Sequence, residues 1–140
     1  MEKIKKKLLD LCYKAFDNDE IPVAAVIVKN NKIIGYGIND RNLKSSVMGH
    51  AELNAIKMAT KKNGDWRLDD CEIYISLAPC LMCTGAILES RIKKVYYFCD
   101  RTNNDLSWLK YINIEKIEDN NFQTEYKKIL GSFFENKRKK

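Results

Sequence analysis

The sequence has little proline, glycine and histidine, and it lacks several features that mark other classes of protein. It contains one histidine, two prolines and six glycines among 140 residues, and no glycine-rich loop that could cradle a phosphate. Its longest apolar run, Val23 to Val28, is far shorter than the roughly 20 residues that cross a bilayer. Asp10, Lys14 and Asp17 interrupt the apolar residues near the N-terminus, so no signal peptide is expected. Internal repeats are also lacking, which excludes a repeat architecture.

The composition is that of an ordinary globular protein. Hydrophobic residues make up 45% and charged residues 31%, which predicts one domain spanning residues 1–140. Five cysteines, an odd number, predict reduced thiols in the cytoplasm and no disulfides. The net charge of +6 suits a polyanionic partner, although runs of basic residues are usually solvated tails. The excess lies at the two ends, in Lys3, Lys5, Lys6, Lys7, Lys137, Arg138, Lys139 and Lys140.

Two short motifs carry the metal-binding side chains. His50-Ala51-Glu52 and Pro79-Cys80-Leu81-Met82-Cys83 together offer one imidazole, one carboxylate and two thiols. Cys80 and Cys83 are three residues apart, so on the first turn of a helix both can hold one ion. His50 and Glu52 are two apart, a spacing that favours one ligand beside one free acid. The H-x-E and P-C-x-x-C pair is the signature of zinc deaminases, in which zinc activates water and the glutamate moves protons.

Other interpretations of these motifs exist. An isolated C-x-x-C can be a redox pair or half of a four-ligand structural zinc site, and H-x-E can occur by chance on any helix. The chain's one histidine falls inside the motif, and Pro79 precedes the first cysteine. We therefore predict that His50, Cys80 and Cys83 bind Zn²⁺ and that Glu52 is the catalytic proton carrier.

The apolar pattern predicts alternating helices and strands. Ile21 to Val28 and Lys32 to Ile38 are expected to form a hairpin around Asn30-Asn31. A strand, helix and strand then predict a parallel pair with a right-handed crossover. In the helix after His50, we expect Leu53, Ile56, Met58 and Ala59 to be buried. The predicted segments are helices at Glu2 to Phe16, from near His50 to Asn63, at Cys80 to Glu89 and at Phe122 to Asn136, and strands at Glu72 to Leu77, Lys93 to Phe98 and Ile112 to Ile117.

Three cysteines lie outside the motifs. Cys71 begins a strand and should lie about 20 Å from Cys80, too far to share a metal. Cys12 is expected to be a small buried residue of the first helix. Cys99 follows a strand parallel to the one before Cys80, so it is expected near the pocket either as a loop thiol or as an added ligand. An added thiolate would displace the reactive water.

The sequence resembles the bacterial tRNA adenosine deaminases of the cytidine deaminase superfamily. The resemblance covers roughly Asp17 to Ile92 and the C-terminal helix with its Phe133-Phe134 pair. Its matching runs are IPVAAV from Ile21, GIN from Gly37, HAE from His50, WRL from Trp66, PCLMCTGAI from Pro79 and SRI from Ser90. The resemblance implies a three-layer α/β/α fold with a central mixed sheet of about five strands. It also implies conversion of the wobble adenosine of a tRNA anticodon to inosine, by a homodimer with one zinc ion in each subunit.

The resemblance also implies roles for further residues. Asn39 would bind the nucleoside near the base and ribose. The base would be walled by Pro22, Val23, Ala51 and Leu77, and flanking nucleotides would meet Phe133, Phe134, Lys137 and Arg138. Three substitutions depart from the family, because Ala78 stands where a glutamate is usual, Ala24 replaces a glycine and Gly49 replaces an alanine. The segment Cys99 to Ser107 is shorter than in the family, lacks its glycine-rich run and begins with a cysteine in place of a glycine.

Two other functions are compatible with the sequence. A deaminase of a free base or nucleoside, such as guanine or cytosine, would use the same metal site without the basic ends. A zinc-stabilised RNA-binding module without catalysis would keep the zinc and the basic ends but would not need Glu52.

Overall fold

A mixed sheet of five strands forms the centre of this computed structural model, which describes residues 1–102 and 106–138. The strand order is β2-β1-β3-β4-β5, with β1 antiparallel to both of its neighbours and the last three strands parallel. The predicted hairpin and the predicted parallel pair are both present. The strands are β1 (Ala24–Lys29), β2 (Lys32–Ile38), β3 (Cys71–Leu77), β4 (Lys94–Cys99) and β5 (Ile114–Lys116).

Helices cover both faces of the sheet, which confirms the predicted three-layer fold. Alternate residues of β1 point to opposite faces, so Val26 joins the core under α1 and α5 while Ile27 joins the core under α3 and α4. A short 3₁₀ helix, Ser107–Tyr111, precedes β5 and packs against α4. The α-helices are α1 (Glu2–Asp17), α2 (Arg41–Lys44), α3 (Ala51–Asn63), α4 (Leu81–Glu89) and α5 (Asn120–Arg138).

Local sequence signals set several boundaries. Asn30 and Asn31 have φ angles of 50° and 64°, a left-handed conformation that asparagine tolerates, and they join β1 to β2. Gly64, with φ of 72°, ends α3. The first strand is shorter than predicted, because regular pairing begins at Ala24 rather than at Ile21.

The buried face of α3 differs from the prediction. Ala51, Ala55 and Ala59 are fully buried, whereas Met58 is 40% exposed, so its assignment to the core was wrong. The reason is the close approach of α3 to β2, where a Cβ added to Gly35 would lie 2.6 Å from the Ala55 carbonyl oxygen. Only small side chains fit at this contact.

The topology brings four chain segments to one edge of the sheet. The strands β2, β3 and β4 end there, and the antiparallel β1 begins there. The helices α3 and α4 also begin on this side, at His50 and Cys80. Parts of the predicted loop from Cys99 to Ser107, at residues 103–105, and Lys139 and Lys140 lie outside the described residues. None of the helices in the described ranges is long and apolar enough to cross a membrane.

Candidate active site

His50, Cys80 and Cys83 meet at the starts of two helices. His50 occupies the N-cap of α3 and Cys80 the N-cap of α4, while Cys83 lies in the first turn of α4. One ligand atom from each residue lies within 4.8 Å of the other two. Because the two cysteines are three residues apart at the start of α4, both sulfurs point toward the same place, as the spacing predicts.

The distances among these atoms fit a tetrahedral metal. The Nδ1 atom of His50 lies 3.6 Å from the Cys80 sulfur and 3.4 Å from the Cys83 sulfur. A zinc ion with bonds of about 2.3 Å to sulfur and 2.05 Å to nitrogen would hold these atoms about 3.6 Å apart. One imidazole and two thiols are also the donor types that zinc prefers, so the residues present fit this ion.

The electrostatics of the cluster favour a thiolate at Cys80. A hydrogen bond from the Cys83 thiol, together with the neighbouring His50 ring, lowers the pKa of Cys80 to about 3. The hydrogen bond that His50 shares with Cys80 raises the pKa of the imidazole. The Cys83 pKa is raised, chiefly because its thiol donates to Cys80 and is itself buried.

Glu52 lies next to these donors without joining them. Its side chain is in the first turn of α3, is 3% exposed and lies close enough to His50, Cys80 and Cys83 for these residues to influence its pKa. Burial raises the pKa of the Glu52 carboxyl to about 6. A carboxyl group with that pKa can both accept and release a proton near neutral pH.

A polar side chain and several apolar ones line the same edge. Asn39 follows β2 and accepts a hydrogen bond of 2.9 Å from the Ala51 amide through its Oδ1 atom. The backbone N–H of Asn39 donates a hydrogen bond of 3.3 Å to the Val23 carbonyl oxygen. Pro22, Val23 and Ala51 are buried, and Leu77 is half-buried at the end of β3.

The segment between Asn39 and His50 is tightly folded. Buried Glu20 accepts hydrogen bonds from the amides of Asn42 (3.1 Å) and Leu43 (2.8 Å) in α2. A Cβ added to Gly49 would lie 2.6 Å from the Arg41 backbone nitrogen. Glycine is therefore the residue that fits this loop where the resembling family has alanine.

The other cysteines do not join the cluster. Cys99 ends β4 opposite Leu77 and is buried in the core under α1 and α5, so the interpretation as an added ligand was wrong. Cys12 is fully buried in the same core, as predicted, and burial raises its pKa to about 12. Cys71 begins β3 at the opposite end of that strand from Cys80.

A family model described as MafB19-like deaminase matches residues 1–138. The chain belongs to this deaminase family. A tRNA-specific adenosine deaminase of Buchnera aphidicola subsp. Schizaphis graminum is 36% identical to this deaminase, over 95% of this chain and 93% of the relative. A second tRNA-specific adenosine deaminase, from Bacillus subtilis, is 38% identical over 66% of this chain and 57% of the relative. The predicted resemblance to tRNA adenosine deaminases is confirmed.

Solved structures show the same fold with two kinds of substrate. A structure from studies of A-to-I editing by tRNA:A34 deaminases matches with a TM-score of 0.81 and 25% identity, over 93% of this chain and 100% of that one. The X-ray structure of guanine deaminase from Bacillus subtilis matches with a TM-score of 0.68 and 36% identity, over 81% of this chain and 71% of that one. The cytidine-deaminase-like fold and the assignment to the deaminase enzymes are thereby confirmed.

Two residues near the site of this deaminase were missed by sequence reasoning. The Arg101 guanidinium donates a hydrogen bond of 3.2 Å to the Ala78 carbonyl oxygen, and the Trp108 indole donates one of 3.0 Å to the Pro79 carbonyl oxygen. Both residues come from the segment after β4. Hydrogen bonds to backbone carbonyls leave no residue pattern, so no motif pointed to them.

The end of α5 carries the aromatic and basic residues that the sequence singled out. Phe133 is 6% exposed and lies edge-on to Phe16, whereas Phe134 is 45% exposed. Lys137 is exposed and forms an ion pair of 2.8 Å with Asp19. The backbone of Asp19 in turn accepts a hydrogen bond from Asn42 in α2, which connects the end of α5 to the segment leading to His50.

Proposed function

We propose that this protein hydrolyses adenosine to inosine at the wobble position of a tRNA anticodon. The observation that carries the proposal is a buried carboxyl, Glu52, beside a His-Cys-Cys donor set, in a chain whose relatives deaminate adenosine in tRNA. The reaction consumes one water and releases one ammonia.

His50, Cys80 and Cys83 would hold one zinc ion in each subunit. The spacing of their ligand atoms and the low pKa of Cys80 support this assignment. Zinc in such a site supplies a Lewis acid that makes water a nucleophile near neutral pH. With neutral imidazole and two thiolates, the formal charge of the ion is cancelled, which suits a site next to a buried acid.

Glu52 would move the protons of the reaction. As a carboxylate, it accepts a proton from the attacking water and passes that proton to N1 of the adenine ring. It then carries a second proton to the exocyclic amine, which leaves C6 as ammonia while the ring keeps the oxygen. The raised pKa of about 6 supports this role, because both protonation states of Glu52 are then accessible near pH 7.

Asn39 would orient the nucleoside. Its Oδ1 is occupied by the Ala51 amide, so the side-chain NH₂ group is the donor that remains for a base or ribose acceptor. Pro22, Val23, Ala51 and Leu77 would form apolar walls for a base that has left its stack.

The end of α5 would meet the flanking nucleotides. Phe134 offers an exposed ring on which a base can stack, and Lys137 and Arg138 offer charge for phosphates. Phe133 would support the Phe134 ring, because the centroid of its buried ring lies 5.4 Å from that of Phe134. The contact from Lys137 through Asp19 to Asn42 supports a surface continuous with the catalytic edge.

We also propose a homodimer in the cytoplasm. Leu81 and Leu88, seven residues apart on α4, are 64% and 51% exposed, and Tyr111 beside this helix is 63% exposed. A second copy that packed there would remove these apolar side chains from water. The odd number of cysteines, which favours reduced thiols, and a tRNA substrate support the cytoplasmic location.

The test is incubation of the zinc-loaded protein with a tRNA that carries adenosine at the wobble position, followed by mass spectrometry of the nucleosides. Inosine that appears with wild-type protein and is absent with Glu52→Gln supports the proposal. Inosine formed equally by both proteins would remove Glu52 from the mechanism. If neither protein formed inosine and Glu52→Gln bound tRNA as tightly as the wild type, the results would favour an RNA-binding module.

A second candidate is deamination of free guanine. The 36% identity to the guanine deaminase of Bacillus subtilis favours it. Ammonia release from free guanine, cytosine and adenosine is therefore measured beside the tRNA reaction. Turnover of a free base without inosine in tRNA would replace the first function by this one.

A further inference from the structure

The backbone that leads into Cys80 is held by side chains from a distant segment. Ala78 and Pro79 are buried between the end of β3 and the start of α4. The Ala78 amide donates 2.9 Å to the Cys99 carbonyl oxygen, which extends the β3–β4 ladder by one bond. Beyond this point the sheet ends, and the next two carbonyl groups need donors from elsewhere.

Two side chains supply those donors. Arg101 donates to the Ala78 carbonyl oxygen over 3.2 Å, and Trp108 donates to the Pro79 carbonyl oxygen over 3.0 Å. Both side chains are half-buried, so neither hydrogen bond is fully exposed to competing water. The guanidinium carries a charge, which strengthens its bond to the carbonyl oxygen.

Each of the two donors is anchored to neighbouring elements. Asp100, next to Arg101, accepts 2.7 Å from the Lys116 ammonium and 3.1 Å from the Tyr97 hydroxyl. Trp108 lies in the 3₁₀ helix that packs against α4. Arg101 is therefore held next to β4 and β5, and Trp108 is held next to α4.

We propose that Arg101 and Trp108 are positioning residues for the metal ligand Cys80. The Pro79 carbonyl, the Cys80 amide and the Cys80 Cα belong to one rigid peptide plane, so a bond that holds the carbonyl also holds the Cα from which the Cys80 side chain leaves the backbone. The bond to Ala78 fixes the preceding plane in the same way. Together they hold the Cys80 sulfur 3.6 Å from the His50 nitrogen. Ala78 has no polar side-chain atom that could bind a neighbouring segment, so the hydrogen bond from Arg101 to its carbonyl oxygen holds the backbone here.

This inference rests on the proposed zinc site, and its test measures metal binding independently of deamination. Zinc-loaded wild-type protein, Trp108→Phe and Arg101→Met are mixed with a chromophoric zinc chelator, and the rate of zinc transfer is recorded. Side chains that support metal ligands typically contribute 10- to 100-fold in affinity, so about tenfold faster release is expected from each variant. The absorption bands of the Co²⁺-substituted variants should also shift, because these bands report the geometry at the thiolates.

Matched variants separate positioning from packing. Arg101→Lys keeps a donor and should restore release to within about threefold of the wild type. Trp66→Phe and Arg67→Met alter the exposed Trp66–Arg67 pair, where the guanidinium carbon lies 4.6 Å from the ring centroid, and should release zinc at the wild-type rate.

The outcomes are distinct. Folded Trp108→Phe and Arg101→Met proteins that release zinc within twofold of the wild-type rate, with unchanged cobalt spectra, would overturn the inference. If Trp108→Phe does not fold by circular dichroism, Arg101→Met decides by the same criterion. Wild-type protein that binds no zinc would instead overturn the proposed metal site itself, and this inference with it.

Discussion

Replacing Glu52 by glutamine should greatly reduce turnover and should also stabilise the folded, metal-free protein. Glutamine has the shape of the glutamate side chain but cannot carry the proton. General acid–base groups contribute about 10²- to 10⁴-fold, so the rate constant should fall by at least about 100-fold. Zinc content should stay the same, because Glu52 is not among the three clustered ligand residues.

The gain in stability follows from the burial of the carboxylate. Glu52 has a pKa of about 6 in the folded protein and 4.5 in the unfolded chain. The folded state therefore holds the proton more tightly, and raising the pH through this window weakens folding. The free energy lost is about 2 kcal/mol at pH 7.5 and a few tenths of a kcal/mol at pH 4.5. Glutamine removes this dependence, so the variant should be more stable than the wild type by about that amount at pH 7.5.

Urea unfolding of both proteins at several pH values, after zinc has been removed with a chelator, measures the difference. The gain should shrink as the pH falls below 6. In the zinc-loaded enzyme, kcat/KM of the wild type should fall as the pH is lowered and Glu52 becomes protonated, because only the carboxylate can accept a proton from water. A variant that is less stable than the wild type at pH 7.5 would contradict the raised pKa of Glu52. A variant that keeps turnover would contradict its catalytic role.

Three further changes test other parts of the account. Cys83→Ser should reduce bound zinc from about one ion per chain to near zero by elemental analysis, whereas Cys71→Ser should leave it unchanged. Gly35→Ala should lower the free energy of unfolding by about 1–3 kcal/mol because its Cβ would meet the Ala55 carbonyl, whereas Gly131→Ala, with open space around it, should be neutral or stabilising; equal effects would argue against the close α3–β2 contact. Lys137→Gln with Arg138→Gln should reduce the salt dependence of tRNA binding, plotted as log K against log salt, by about 1.4. An unchanged slope would remove the end of α5 from the RNA surface.

The clustering of His50, Cys80 and Cys83 could be predicted from the sequence because the geometry of the two cysteines is local. Cys80 and Cys83 share one helical turn, and the C-x-x-C spacing alone turns both sulfurs the same way. The strands before and after α4 were also readable, since a strand, helix and strand of this length form a parallel pair with one hand. The cysteines follow the end of β3, and His50 follows the end of β2. Because β1 is antiparallel to both of these strands, their ends lie at the same edge of the sheet.

Features that depend on contacts between distant segments could not be predicted. Met58 has the larger apolar side chain, yet the fully buried residue beside it is Ala59, because Gly35 lets α3 approach β2 closely. Cys99 was considered as an added metal ligand, and its place in the core under α1 and α5 follows from the register of β4 against Leu77. The support of Cys80 by Arg101 and Trp108 is likewise invisible in the sequence, since any donor can bind a backbone carbonyl.

X-ray absorption at the zinc edge of the active, zinc-loaded protein tests the central claim most directly. A site made by His50, Cys80 and Cys83 with one position for water predicts two sulfur neighbours at about 2.3 Å and two nitrogen or oxygen neighbours at about 2.0–2.1 Å. Three or four sulfur neighbours, or zinc with none, would contradict a hydrolytic centre built from these residues.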